Sequence, residues 1–92
     1  MIVRILHEGQ YRLPDAALWR LQQIDGRLTS SIERGDQAAF EADLAELVEY
    51  VRTDGVRLDD GHLGGSNLVL PPPDATLDEV RALLRGDRVI PG

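Results

Sequence analysis

The residues best suited to chemistry sit together at Asp59-Asp60-Gly61-His62, with Asp54 a few positions upstream. Carboxylates and an imidazole in one loop are a donor set for a divalent cation. The spacing matches no EF-hand, because the alternating Asx ligands and the closing Glu are missing. Asp and Gly also build solvated turns, and that reading is preferred here. Nucleophilic catalysis would need a serine, a histidine base and an orienting acid. Ser30, Ser31, Ser66, His7 and His62 are available. Gly64-Gly65-Ser66-Asn67-Leu68 lacks the second glycine of a nucleophile elbow. Ser30 and Ser31 are expected late in a helix, facing solvent. Gly61, Gly64 and Gly65 form no phosphate-cradling loop, and the chain has no lysine to reach a phosphate. Asp78-Glu79 and the series Glu41, Asp43, Glu46, Glu49 carry carboxylates for acid–base work. Their helical positions make a solvated face the better account. Pro71-Pro72-Pro73 reads as a strand stop rather than a polyproline ligand. No catalytic residue, cofactor or metal is assigned.

The bulk numbers agree with that absence of equipment. The chain has 92 residues and a formal net charge of −6. That length suits one domain over 1–92. The charge opposes binding to nucleic acid, where affinity comes largely from neutralising phosphates. It equally opposes an anionic membrane surface. A partner with a basic patch is the natural complement. There is no cysteine, hence no disulfide, thiolate nucleophile or thiolate metal ligand. All ten basic residues are arginine, which fits a GC-rich, actinobacterial coding bias. No apolar run is long enough to insert into a bilayer, and no signal-peptide pattern opens the chain. The expected location is the cytoplasm.

Which elements would position these residues? Ile2 to Leu6 alternates as a half-buried strand, with Val3 and Ile5 on one side and Arg4 on the other. His7-Glu8-Gly9-Gln10 is the turn, with Gly9 supplying positive φ. Tyr11 to Leu13 returns antiparallel, Tyr11 and Leu13 facing the core. From Pro14 to about Arg34 the positions Ala17, Leu21, Ile24, Leu28 and Ser31/Ile32 step by three and four, as on one helix face. Leu18 widens that stripe, and Gly26 is a weak point or kink. Gly35 ends this helix and Asp36 caps the next, which runs to about Thr53 through Phe40, Leu44, Leu47 and Val51. So short a connection makes an antiparallel helical hairpin. Folding about Gly35 sets Arg27 opposite Asp43, and Arg20 opposite Tyr50. Residues 54–66 read as a polar loop. Leu68-Val69-Leu70 is a third strand, and Thr76 with Glu79 forms a capping box before a short helix. The tail from 88 to 92 is apolar enough to dock on the sheet. The expected class is α+β: a small antiparallel sheet packed with a helical hairpin and a short C-terminal helix.

Binding remains as the alternative to chemistry. Trp19 lies off the first helical stripe; it either covers the sheet, the favoured reading, or stands exposed as a partner anchor. Tyr11 carries the same ambiguity at the sheet edge. Tyr11, Trp19, Glu41, Glu46 and Glu49 are the candidate interaction residues. Unpaired strand edges add a route to a homodimer.

Several segments together resemble one family. They are MIVRIL followed by Glu8-Gly9-Gln10-Tyr11-Arg12-Leu13, the Gly35-Asp36 hinge before Phe40, the run from Leu68 through Pro71-Pro72-Pro73 and Thr76 to Arg81, and the closing Ile90-Pro91-Gly92. The chain resembles the PspA-associated domain family, small bacterial and archaeal proteins linked to phage-shock protein A. The resemblance implies a non-catalytic partner of a long coiled-coil protein that protects or remodels the inner membrane in envelope stress. It transfers no catalytic residue. Two rivals stay open: a self-assembling structural homodimer, and a metal-binding or enzymatic domain centred on 54–66.

Overall fold

The computed structural model describes residues 1–59 and 65–82. The expected apolar tail and the end of the last helix lie outside them. Strand β1 (Ile2–Ile5) and strand β2 (Gly9–Arg12) pair antiparallel, with Val3 opposite Tyr11 and Arg4 opposite Gln10. The alternation works as the sequence requires: Val3, Ile5, Tyr11 and Leu13 are buried, whereas Arg4 and Arg12 are exposed. The turn is set two residues earlier than expected, over Ile5–Glu8. The Glu8 N–H donates to the Ile5 carbonyl at 3.0 Å. Gly9 takes the expected positive φ, at 147°, and opens β2; His7 also takes positive φ, at 68°.

Helix α1 (Ala17–Arg34) and helix α2 (Gln37–Asp54) form the hairpin. Helix α1 starts three residues after Pro14, which instead supports a lead-in turn: its carbonyl accepts from the Ala17 N–H at 2.9 Å. The helix passes through Gly26 without a break. Its buried residues are Ala17, Leu21, Ile24, Leu28 and Ser31. Leu18 does not join that stripe and is 45% exposed. The end of α1 is a Schellman motif. Gly35, at φ 68°, donates to the Ile32 carbonyl, and the Asp36 N–H to Ser31, both at 3.1 Å. Asp36 then caps α2 by accepting from the Ala39 N–H at 3.1 Å. One glycine and one aspartate thus close one helix and open the next.

The sheet is α+β in context but not all antiparallel. Strand β4 (Leu68–Leu70) pairs parallel with β1, setting Val3 beside Leu68 and Ile5 beside Leu70. A two-residue strand β3 (Val56–Arg57) pairs antiparallel with β2. The strand order is β3-β2-β1-β4. Both β3 and β1 run against β2, and β4 lies at the far edge from β3, where Asn67 meets Ile2. Parallel neighbours need a long connection, and between β1 and β4 it holds β2, both helices and β3. Asn67 fastens the entry twice: its Oδ1 accepts from the Ile2 N–H and its own N–H donates to the Ile2 carbonyl, each at 2.8 Å.

Inward residues of sheet and helices merge in one core that includes Phe40, Leu44, Leu47, Val48 and Val51 of α2. A third helix, α3, is described over 77–82, with Leu77 and Val80 buried. The expected capping box opens it: the Glu79 N–H donates to Thr76 Oγ1 at 3.1 Å and the Thr76 N–H to Glu79 Oε1 at 2.9 Å. Arg81 then donates to the Ile32 carbonyl at 2.8 Å, binding α3 to the end of α1.

Gly55, just after α2, has no room for a side chain. A Cβ there would lie 2.5 Å from the Val51 carbonyl oxygen and 3.1 Å from both Leu13 and Tyr11 side chains. Backbone cannot retreat as a flexible side chain can. Gly55→Ala is therefore expected to cost about 1–3 kcal/mol, the usual range for overpacking. Urea unfolding of the variant checks it; an unchanged midpoint would mean the junction is looser than described.

Candidate interaction surface

The five interaction candidates do not share one surface. Trp19 lies two residues from both Ala17 and Leu21, which are buried. At 100° per residue that displacement points it away from the core. It is 67% exposed, so it does not cover the sheet as the favoured reading had it. No core position at that helical angle was available to it. Leu18, beside it, lines a shallow groove of about 400 Å³ with Met1, Asp15, Asn67 and Leu68. An exposed indole, next in sequence to an exposed leucine that lines a groove, supplies the elements of a docking patch.

Tyr11 is buried, not an edge anchor. Its hydroxyl donates to Glu8 Oε2 at 2.7 Å. Burial first, and the Glu8 carboxylate second, push the phenol above its ordinary pKa. Glu8 is the hub of a clasp. Arg52, at the end of α2, grips its carboxylate through Nε at 2.8 Å and through a second nitrogen. Arg57 of β3 donates to the Glu8 backbone carbonyl at 2.9 Å. The hairpin turn, α2 and β3 thus meet at one residue. Sequence reading missed this clasp, because 44 positions separate Glu8 from Arg52 and no local pattern links them.

The Arg52 hydrogen bond is the main reason that Glu8 falls from the ordinary 4.5 to about 2; partial burial opposes it. A depressed carboxylate stabilises the fold above its unfolded pKa, and that contribution fades as pH falls through the folded one. The window therefore runs from about 4.5 down to about 2. The guanidinium is 40% exposed, so solvent screening reduces the effect to about 1–2 kcal/mol. Glu8→Gln is expected to lose that amount at pH 7. The gap to the parent chain should narrow as pH drops below 4.5, followed by urea midpoints at stepped pH; a constant gap would mean that packing, not charge, holds the clasp.

The acidic residues of α2 divide into two roles. Glu46 is half-buried and accepts from Arg20 at 3.2 Å and from Arg27. The expected Arg27–Asp43 pair is absent. Helical side chains lean toward their own N-terminus, so Arg27 reaches back along α1. In an antiparallel hairpin that direction leads past Asp43 to Glu46. Arg20 shares a groove of about 300 Å³ with Tyr50, but its guanidinium also goes to Glu46. Asp43 meets Ser31 instead. Ser31 is fully buried, as its place on the helix stripe predicts and against the expectation that it faces solvent, its Oγ within reach of Asp43 and 3.0 Å from the Arg27 carbonyl. Held there, it is a packing residue of the helix interface and not an exposed nucleophile. Glu41 and Glu49 remain exposed. Glu41 accepts from Gln37 at 2.9 Å, and Glu49 has only long contacts to Thr53 at 3.4 Å and Arg52 at 3.8 Å.

The candidate metal loop, read by preference as a solvated turn, lies mostly outside the described residues, at 60–62. Among the described residues no group of three acidic, histidine or cysteine side chains is placed to hold a metal. No described helix is long and apolar enough to cross a membrane.

The geometry defines a small α+β fold with an outward tryptophan on its first helix. The sequence signature of the PspA-associated proteins matches residues 1–92. The chain belongs to that family. Comparison with curated proteins and with solved structures gave no match.

Proposed function

We propose that the chain is a non-catalytic docking module, an adaptor or regulator that binds a PspA-like coiled-coil protein. Family membership supports a PspA-related role. The observation that carries the reading is Trp19, 67% exposed on the side of α1 turned from the core. Aromatic anchors of this kind dominate binding energy at protein interfaces. Glu41 and Glu49, exposed on α2, offer carboxylates to basic heptad positions on a partner helix. The unit is one domain over 1–92, cytoplasmic, and reaches the inner membrane through its partner.

Mixing the purified chain with a PspA-like protein tests this by size-exclusion chromatography at tens of micromolar. Co-elution is the expected result. Separate elution, with the chain self-associating instead, would favour a homodimer that covers Trp19 with a second copy.

A further inference from the structure

One face of α1 carries no charge from Trp19 to Ser30. Trp19, Gln22, Gln23, Gly26, Thr29 and Ser30 recur with the helical period, on the side opposite Ala17, Leu21, Ile24 and Leu28. The first five are exposed and Ser30 is half-buried. None is charged, in a chain where 28% of residues are. Contact with water gives a helix surface no reason to shed charge. The centre of a protein interface is depleted of charge and enriched in aromatic residues. Here charge begins at the edge of the strip. Arg20, Arg27 and Arg34 line one flank, seven residues apart. They pair with Glu46 and Asp36, yet their side chains stay 46%, 50% and 57% exposed. A guanidinium has several donors, so each can take a further anion. Gly26 lies within the strip, one heptad from Trp19. Glycine inside a helix destabilises it relative to alanine, and this fold makes no use of the glycine. Its φ is not positive, and a Cβ there would meet no atom of the described residues within 4 Å.

Resting on the docking reading above, we infer that a helix of the partner crosses α1 directly over Gly26. Gln22, Gln23, Thr29 and Ser30 are the surface neighbours of Gly26, three and four residues away. They frame a hole with bare backbone as its floor, and a large apolar side chain of the partner seats there as a knob. Trp19 enters the partner about 10 Å further along α1. Acidic residues of the partner, repeating every seven, meet the arginine flank. The occupant is a heptad helix because both the Trp19–Gly26 step and the arginine flank have its period. A bilayer fits less well, since glutamine, threonine and serine offer it no apolar face. Nucleic acid fits less well, since the arginines stand on one edge and already hold carboxylates. The chain on both sides of 60–64 is fastened to the sheet, by Leu58 on Gln10 and by Asn67 on Ile2, away from this strip.

The probe is a purified PspA-like coiled-coil protein, titrated by calorimetry into the full chain and into its Gly26 variants. Gly26→Ala should raise the urea midpoint, because alanine suits a helix better, yet weaken binding at least about fivefold. Gly26→Leu should keep the fold, as circular dichroism checks, and weaken binding at least about 30-fold, because its side chain fills the hole. Firmer folding with poorer binding is a combination that a merely structural glycine does not give. Parent-like binding by both variants overturns the inference; if Trp19→Ala still loses binding, the docking reading itself stands. No binding by the parent sinks both. A second copy is the occupant instead, and the inference fails, if concentration-dependent self-association of the parent vanishes in G26L. It fails also if V89S/I90S moves the Gly26 amide and Trp19 indole signals in ¹⁵N NMR of the free chain, since the chain's own tail would then fill the strip.

Discussion

Phe40→Ala is expected to lose about 3–5 kcal/mol of folding stability, the range for truncating a buried aromatic. Phe40 is fully buried on the first turns of α2. The loss has two parts: the transfer of the ring and the cavity it leaves in a small core. A chain of this size holds roughly 5–14 kcal/mol in total, so one substitution removes a large share. Phe40→Leu keeps most of the volume and should lose well under half as much. Urea titration by circular dichroism measures both. A loss below about 1 kcal/mol for alanine would show that the hairpin does not depend on this contact.

Trp19→Ala should do the opposite: leave the fold alone and remove binding. The side chain has little packing to lose, so the urea midpoint should stay within about 0.5 kcal/mol of the parent. Affinity for a PspA-like coiled coil should fall at least about 30-fold, which is the 2 kcal/mol of an interface hot spot. Trp19→Phe, which keeps an aromatic face, should retain more of it. Isothermal titration gives the numbers. Unchanged affinity with alanine would place the docking surface elsewhere.

Much of the fold was legible because local rules and tertiary packing agree. The alternation of Val3, Arg4 and Ile5, the Gly35-Asp36 junction and the Thr76–Glu79 box each act within a few residues. The parallel placement of β4 was not legible, because Leu68-Val69-Leu70 reads alike in either direction. Strand β3 was hidden for a related reason: Val56 and Arg57 are both exposed, so burial leaves no alternation to read. The Arg27–Asp43 pairing failed on side-chain direction, which residue spacing alone does not include. At the candidate surface, helical angle already separates Trp19 from Ala17 and Leu21. The sequence alone still favoured burial, since large aromatics are usually covered. Tyr11 and Glu46 carry the types of docking residues, yet the clasp and the helix interface use them. Only long-range contacts reveal such internal use.

Trp19 is the sole tryptophan of the chain, and so reports directly on its own surroundings. Its emission should be recorded while a tryptophan-free PspA-like coiled coil is added. Capture of the indole by the partner predicts a saturable shift of the emission to shorter wavelength, with one inflection at the binding stoichiometry. Complex formation with the spectrum unmoved would contradict the docking account.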